Sequence, residues 1–397
     1  MDRLRNPFSP GAGTPPPKLA GREELLTRTE VTLGRVKAGR PAKSFIVVGL
    51  RGVGKTVLLN EVYQKATRLG YQAVQIEAHE NKRLPALLLP KLRQVLLSLD
   101  RIARAKESGK RALGVLAAFA SALTAKIGDL EFSLSIEPES GTADSGDLEN
   151  DLADLFEAIG RAASDKETAV ALIIDELQYL SEDEMSALIM AMHRVQQRQL
   201  PLVLIGGGLP QILALAGRSK SYAERLFDYP RVDSLSEVDA REALVVPLEE
   251  EEVKIAEDAV EEIIRRTKGY PYFLQTWGHF AWNTAQEDRI SVEDVAVATQ
   301  QALSSLDESF FRVRFDRLSG AEKDYLFAMA DLGGGPHRSG DIASKLGRKV
   351  ESVAPIRNSL IKKGMLFSPS HGDTAFTVPM FDEYLKRVGN PSRKSPL

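Results

Sequence analysis

Two clusters of residues have the types and spacing to do chemistry together. The first is Gly49-Leu50-Arg51-Gly52-Val53-Gly54-Lys55-Thr56, followed by Val57 and placed directly behind the β-branched run Ser44–Val48. A Gly-x-x-x-x-Gly-Lys-Thr segment between a strand and a helix is a phosphate-binding loop. Its backbone N–H groups wrap phosphate oxygens, aided by the positive end of the following helix. Lys55 would reach the β and γ phosphates, and the Thr56 hydroxyl would ligate Mg²⁺. The second cluster is Asp175-Glu176, at the end of the apolar run Ala169–Ile174. A carboxylate there can hold the Mg²⁺ water shell opposite Thr56, and its neighbour can polarise an attacking water. Together they predict an ATP site with Mg²⁺, Lys55 and Glu176 as catalytic residues, and Thr56 and Asp175 at the metal.

These clusters need a parallel sheet to position them. Helical spacing over Glu23–Lys37 precedes the first strand, and a second helix follows the loop until Gly70. Further strands are expected at 71–78, 169–175 and 200–208, and further helices at 84–99 and 181–198. Continuous apolar runs such as 169–174 belong to central strands covered on both faces, and their alternation with helices predicts an α/β fold. Residues 1–20, rich in Pro and Gly, read as an extended arm that either binds a neighbour or crosses its own core. An insertion at about 105–150 carries the alternating segment Leu130–Glu137, expected as a hairpin or edge strand. The acid-rich stretch 144–154 reads as a helix start, since carboxylates favour helix N-termini, or alternatively as a partner surface.

Composition excludes several chemistries. The 397-residue chain is 43% hydrophobic and 27% charged, with no cysteine and five histidines in no ligand-spaced pair. Disulfides, thiol nucleophiles and Cys-based zinc sites are therefore excluded. The first residues lack the apolar core of a signal peptide, and the uncharged stretch Ala112–Ala125 falls short of the roughly 20 residues a membrane span needs. A cytoplasmic protein is expected. Net charge is −3, unevenly spread: residues 311–397 hold 15 Lys/Arg and 9 Asp/Glu, which leaves the rest acidic. Such a basic tail points to a local anionic partner.

The segments Leu19–Leu26, Gly49–Thr56, Leu172–Leu180 and Leu202–Ile212 resemble those of P-loop ATPases of the AAA+ and STAND kind, and are most similar to archaeal-type ATPases and origin-recognition initiators. The resemblance covers about residues 6–390. It implies an N-terminal arm (1–20), an ATPase core (21–235), a helical lid (236–310) and a C-terminal winged helix (311–397). It also implies that Arg22 borders the nucleotide base and that Gly269 and Pro271 contact it, with Tyr270 beside them. Pro271 equally fits the first turn of a helix. Arg225 takes the place of a finger arginine reaching a neighbouring copy's nucleotide, or of a surface ion pair. The chain departs from the pattern at Gly206-Gly207-Gly208, where a polar sensor is common, and lacks the usual arginine near Gly269; Gln178 would substitute as a γ-phosphate sensor. These departures imply slow, partner-dependent hydrolysis and hence a switch.

Within the tail, Ser339 should start the second helix of the winged helix, and Pro355 should fall in the first turn of the third. Val353, Ile356 and Leu360 would face inward. Arg357, Asn358 and Lys363 would face outward towards double-stranded DNA, with Lys362 and the wing residue His371 at phosphates. The alternative is a signalling scaffold whose tail and insertion bind proteins. A metabolic kinase is disfavoured, because no separate substrate domain is visible.

Overall fold

A computed structural model describes all residues except 12, 101–105, 128–136, 371 and 390–397. The expected strand at 130–137 thus lies almost wholly outside the described residues. The chain divides into two compact units.

The first unit comprises Arg22–Gly49 and Lys55–Val232. Five parallel strands form its sheet: β1 (Ser44–Val48), β2 (Gln72–Glu77), β3 (Val170–Asp175), β4 (Leu202–Gly208) and β5 (Phe227–Asp228), in the order β2-β3-β4-β1-β5. All residues of β1, β3 and β4 are buried, which explains their unbroken apolar runs. The helices are α1 (Glu23–Lys37), α2 (Lys55–Arg68), α3 (Leu84–Asp100), α4 (Lys106–Ile127), α5 (Leu148–Asp165), α6 (Glu182–Gln197), α7 (Gln211–Ser219) and α8 (Ala223–Leu226). Helix α4 takes the Ala-rich stretch into the core, where Leu116 and Phe119 are fully buried. The acidic run caps α5: Asp147 accepts from the Glu149 N–H, and buried Asp151 accepts from the Ser145 and Gly146 N–H groups at 3.1 and 2.8 Å. These two carboxylates are therefore used structurally.

The second unit comprises Met1–Gly21, the loop Leu50–Gly54 and Asp233–Leu397. Its helical part holds α9 (Glu237–Glu250), α10 (Glu257–Thr267), α11 (Pro271–Thr284) and α12 (Val292–Ser305). Ser236 and Ser291 cap α9 and α12, each hydroxyl accepting from the N–H of the aspartate three positions on. Two short strands, β6 (Lys254–Ile255) and β7 (Arg289–Ile290), pair in parallel there, within the part that the resemblance implies is a helical lid. A π-helical turn, Leu306–Phe311, leads through α13 (Arg312–Phe315) into the winged helix. That domain contains α14 (Gly320–Leu332), β8 (His337–Arg338), α15 (Ser339–Lys345), α16 (Val350–Lys362), β9 (Leu366–Phe367), β10 (Asp373–Phe376) and α17 (Phe381–Val388), with its sheet ordered β8-β10-β9.

Aromatic rings join the helical part to the winged helix. Phe310 meets Phe273 at 6.0 Å, and Phe311 stacks on Tyr384 at 5.2 Å and meets Phe381 at 5.7 Å. Arg387 and Asp307 add an ion pair at 2.6 Å.

The N-terminal arm is packed along α11. Phe8 is 1% exposed against Gly278, the Trp282 indole N–H donates to the Asp2 carbonyl at 2.9 Å, and Asn6 donates to the His279 carbonyl at 3.1 Å.

Candidate nucleotide site

Strand β1 delivers the chain into the loop, and α2 begins at Lys55. Gly52 and Gly54 have φ of +82° and +92°, a region that side-chain-bearing residues rarely adopt. Lys55 is 5% exposed, and its ammonium donates to the Gly49 carbonyl at 3.0 Å. The Thr56 hydroxyl donates to Asp175 Oδ2 at 2.6 Å, so the two clusters found in the sequence meet. Val53 is buried. Val57 is half-buried in the first turn of α2.

Burial raises the Asp175 pKa above the usual carboxylate range, against the lowering effect of the Thr56 hydrogen bond; neighbouring Glu176 raises it further, and Lys55 opposes. Oxygen donors on Thr56 and Asp175 suit a hard divalent cation such as Mg²⁺, which takes few protein ligands and keeps water and phosphate for the rest. Among the described residues, no cluster of three His, Asp or Glu side chains offers an alternative metal site.

Glu176 adopts left-handed backbone geometry (φ 55°), and its N–H donates to Asp175 Oδ1 at 2.8 Å. The Gln178 amide N–H donates to the Glu176 carboxylate, while its oxygen accepts from the Leu209 N–H at 2.9 Å. Gln178 therefore ties Glu176 to the end of β4. Gly206-Gly207-Gly208 also acquires a reason here: a Cβ on Gly207 would lie 2.8 Å from Asp175 Oδ1 and 2.9 Å from Leu59 Cδ1. The triplet makes room for Asp175, Leu177 and Gln178. Sequence reading records it only as a missing sensor, because the close approach comes from a neighbouring strand.

The remaining predicted residues are placed as follows. Arg22 is 8% exposed, at the start of α1. Arg225 is exposed at the end of α8, and no ion pair to it exists among the described residues. Gly269 forms the turn between α10 and α11, its carbonyl accepting from the Leu235 N–H at 2.8 Å, and Pro271 is the first residue of α11. Leu50, Arg51 and Gly52 lie in the second unit with Tyr270. The Tyr270 hydroxyl donates to the Arg51 carbonyl, and the Tyr272 N–H donates to the Gly52 carbonyl at 3.3 Å. Nearby, the Arg314 guanidinium lies 4.0 Å from the Phe310 ring centre; burial first, then Arg51, lower its pKa to about 10.

The proposed DNA face differs from expectation. Helix α16 starts at Val350, so Pro355 lies in its interior and deprives the helix of a backbone hydrogen bond. Val353 and Leu360 are buried as expected, while Ile356 is only half-buried. Arg357 turns onto the wing, donating to Thr374 Oγ1 at 2.7 Å, Ser368 Oγ at 2.9 Å and the Asp373 carbonyl at 3.0 Å. Lys363 pairs with Glu322 at 2.8 Å. Asn358 and Lys362 are exposed, and His371 lies outside the described residues.

The sheet order, the loop and the acidic pair define a P-loop ATPase core of the AAA+ class, a nucleotide-binding fold. Residues 18–205 match the family model described as AAA ATPase domain, and residues 308–385 match one described as Domain of unknown function (DUF8462). A search of curated proteins finds no match. Among solved structures, the Walker-type ATPase PABY2304 of Pyrococcus abyssi is similar at a TM-score of 0.58 and 17% identity, over 96% of this chain and 99% of that one. Cdc6p of Pyrobaculum aerophilum (TM-score 0.49, 15% identity, 98% of each chain) and Orc1 of Aeropyrum pernix, solved with DNA (0.47, 16%, 95% of each), are looser likenesses that carry no functional argument. Among the described residues no helix is long and apolar enough to cross a membrane.

Proposed function

We propose that this chain is a slow Mg²⁺-dependent ATPase that works as a switch, its nucleotide state governing the winged helix. One observation carries the ATPase reading: the 2.6 Å hydrogen bond from Thr56 to buried Asp175, beside buried Lys55 and with Glu176 next in line. In this reading Lys55 and the loop N–H groups hold the phosphates, and Thr56 and Asp175 hold Mg²⁺. The cation would neutralise phosphate charge during transfer. Glu176, oriented by Gln178, accepts a hydrogen bond from the attacking water and draws its proton away. Arg22, Gly269 and Pro271 border the base, and Arg225 acts on a neighbouring copy's nucleotide.

The test pairs binding with turnover. Saturating ATP–Mg²⁺, at 100-fold excess over Kd, should stabilise the protein by about 2.7 kcal/mol. Lys55→Ala should lose most of that shift. Glu176→Gln should keep binding and lose phosphate release. A thermal shift unchanged in Lys55→Ala would overturn the loop assignment, and equal turnover in Glu176→Gln would remove Glu176 from the chemistry.

For the winged helix, we propose duplex DNA as partner through Asn358 and Lys362. A second reading, protein docking, is favoured by a specific observation: Arg357 and Lys363 are already engaged within the domain.

A further inference from the structure

Three facts converge on the tip of the phosphate loop. Tyr270 is 3% exposed and donates its hydroxyl to the Arg51 carbonyl. The next residue but one, Tyr272, donates its backbone N–H to the Gly52 carbonyl at 3.3 Å. The Tyr270 ring fills the space beside Gly52 so closely that a Cβ there would lie 2.9 Å from Tyr270 Cε1. Adjacent carbonyls of the loop are thus held by the N-cap and the first turn of one helix, α11.

A peptide unit has its N–H and C=O on opposite edges. Holding the carbonyls of Arg51 and Gly52 therefore fixes the direction of the N–H groups of Gly52 and Val53. In a phosphate-binding loop those N–H groups must converge on the anion before it arrives, or ordering them subtracts from affinity. Burial raises the Tyr270 pKa well above the usual phenol range, so the hydroxyl remains a donor at any working pH.

We infer that Tyr270 is a positioning residue for the phosphate loop: its hydroxyl, with the Tyr272 N–H, presets the loop's amide edge for a nucleotide polyphosphate. This rests on the nucleotide reading above and deepens it. The residue emerges as a clamp on the loop backbone, where sequence resemblance places it beside the base. Its anchorage continues into the rest of the unit, since Tyr272 stacks on Phe310 at 4.8 Å and Tyr270 meets Phe273 at 5.1 Å.

The experiment uses the full chain and Tyr270→Phe, which removes the hydroxyl and keeps the ring against Gly52. Its first readout needs no nucleotide: limited trypsin digestion, with mass spectrometry following cleavage of the Arg51–Gly52 bond. Freed of its clamp, the loop should be cut there several times faster, with cleavage elsewhere unchanged and the melting temperature lowered by no more than the loss of one hydrogen bond implies. The second readout is affinity for ATP and for adenosine. Tyr270→Phe should weaken ATP about tenfold, the scale of one buried hydrogen bond, and leave adenosine unaffected. Unchanged cleavage at Arg51 overturns the inference whatever the nucleotide does. Faster cleavage in a protein whose wild type binds no ATP would retain the clamp and discard the nucleotide reading. Equal weakening of ATP and adenosine would return Tyr270 to the base.

Discussion

Asp175 shows how residue-scale chemistry sets a cost that only a ligand can relieve. Burial, the largest effect, raises its pKa, and the Thr56 hydrogen bond only partly offsets this. A carboxyl whose folded pKa lies above its unfolded value favours folding at low pH, and that contribution is lost as pH rises through the folded pKa. In its ionised form the group therefore destabilises the nucleotide-free protein. Asp175→Asn, which can still bond to Thr56 and the Glu176 N–H, should raise the unfolding midpoint at pH 7 by about 2–4 °C, corresponding to about 1 kcal/mol. The gain should vanish below about pH 4, and ATP–Mg²⁺ should no longer stabilise the variant. Calorimetric melting across pH checks this; a variant less stable than wild type at pH 7 would show that the buried charge carries no such cost. The loop and the acidic pair are legible in sequence because each is a local run with fixed spacing. Gln178 bridging Glu176 to Leu209, and Gly207 yielding space to Asp175, are not legible, because both depend on which strand lies alongside.

At the scale of elements, local signals and long-range partners separate cleanly. Cap residues Ser181, Ser236, Ser291 and Ser319 each hold the N–H three positions on, and a short window of sequence suffices to find such caps. Cations on α16 are another matter, because helical spacing gives a direction but not a partner. Glu322, from the capping box of α14, is largely buried, a desolvation that alone would raise its pKa; Lys363, Ser319 and Ser359 outweigh it and bring it down to about 2. With a folded pKa below the unfolded one, Glu322 contributes stability above the unfolded value that is lost as pH falls towards about 2. Lys363→Ala should cost the winged helix about 1–2 kcal/mol at pH 7, discounted for the half-exposed ammonium. That deficit should shrink as pH falls below 4, which chemical denaturation at pH 3 and pH 7 will measure. A pH-independent deficit would assign the loss to the lysine's aliphatic stem instead.

Across the molecule, the winged helix belongs to the same compact unit as the helical part and the arm, joined by the Phe310–Phe311–Tyr384 rings and the Arg387–Asp307 pair. The arm's Phe8 and the helix it packs on are far apart in sequence, so composition alone reveals a Pro- and Gly-rich extended arm without its destination. The net positive charge of residues 311–397 is likewise legible, but much of it is spent internally, at Arg357, Lys363 and Arg387. This lowers the electrostatic stake in the proposed DNA partner. Each phosphate contact adds about −0.9 to the slope of log K against log salt. Lys362→Ala should flatten that slope by about one unit and weaken duplex binding while leaving the melting temperature and ATP binding intact. Asn358→Ala should weaken binding and leave the slope unchanged. Arg357→Ala should instead lower the stability of the winged helix, since it removes three hydrogen bonds to the wing segment. Fluorescence anisotropy on a broad set of duplexes, with ATP and over a salt series, decides the matter. Wild-type protein without salt-sensitive affinity for any of them would leave the winged helix as a protein-docking module, its exposed α16 face offering Val350, Ala354 and Pro355 in place of charge.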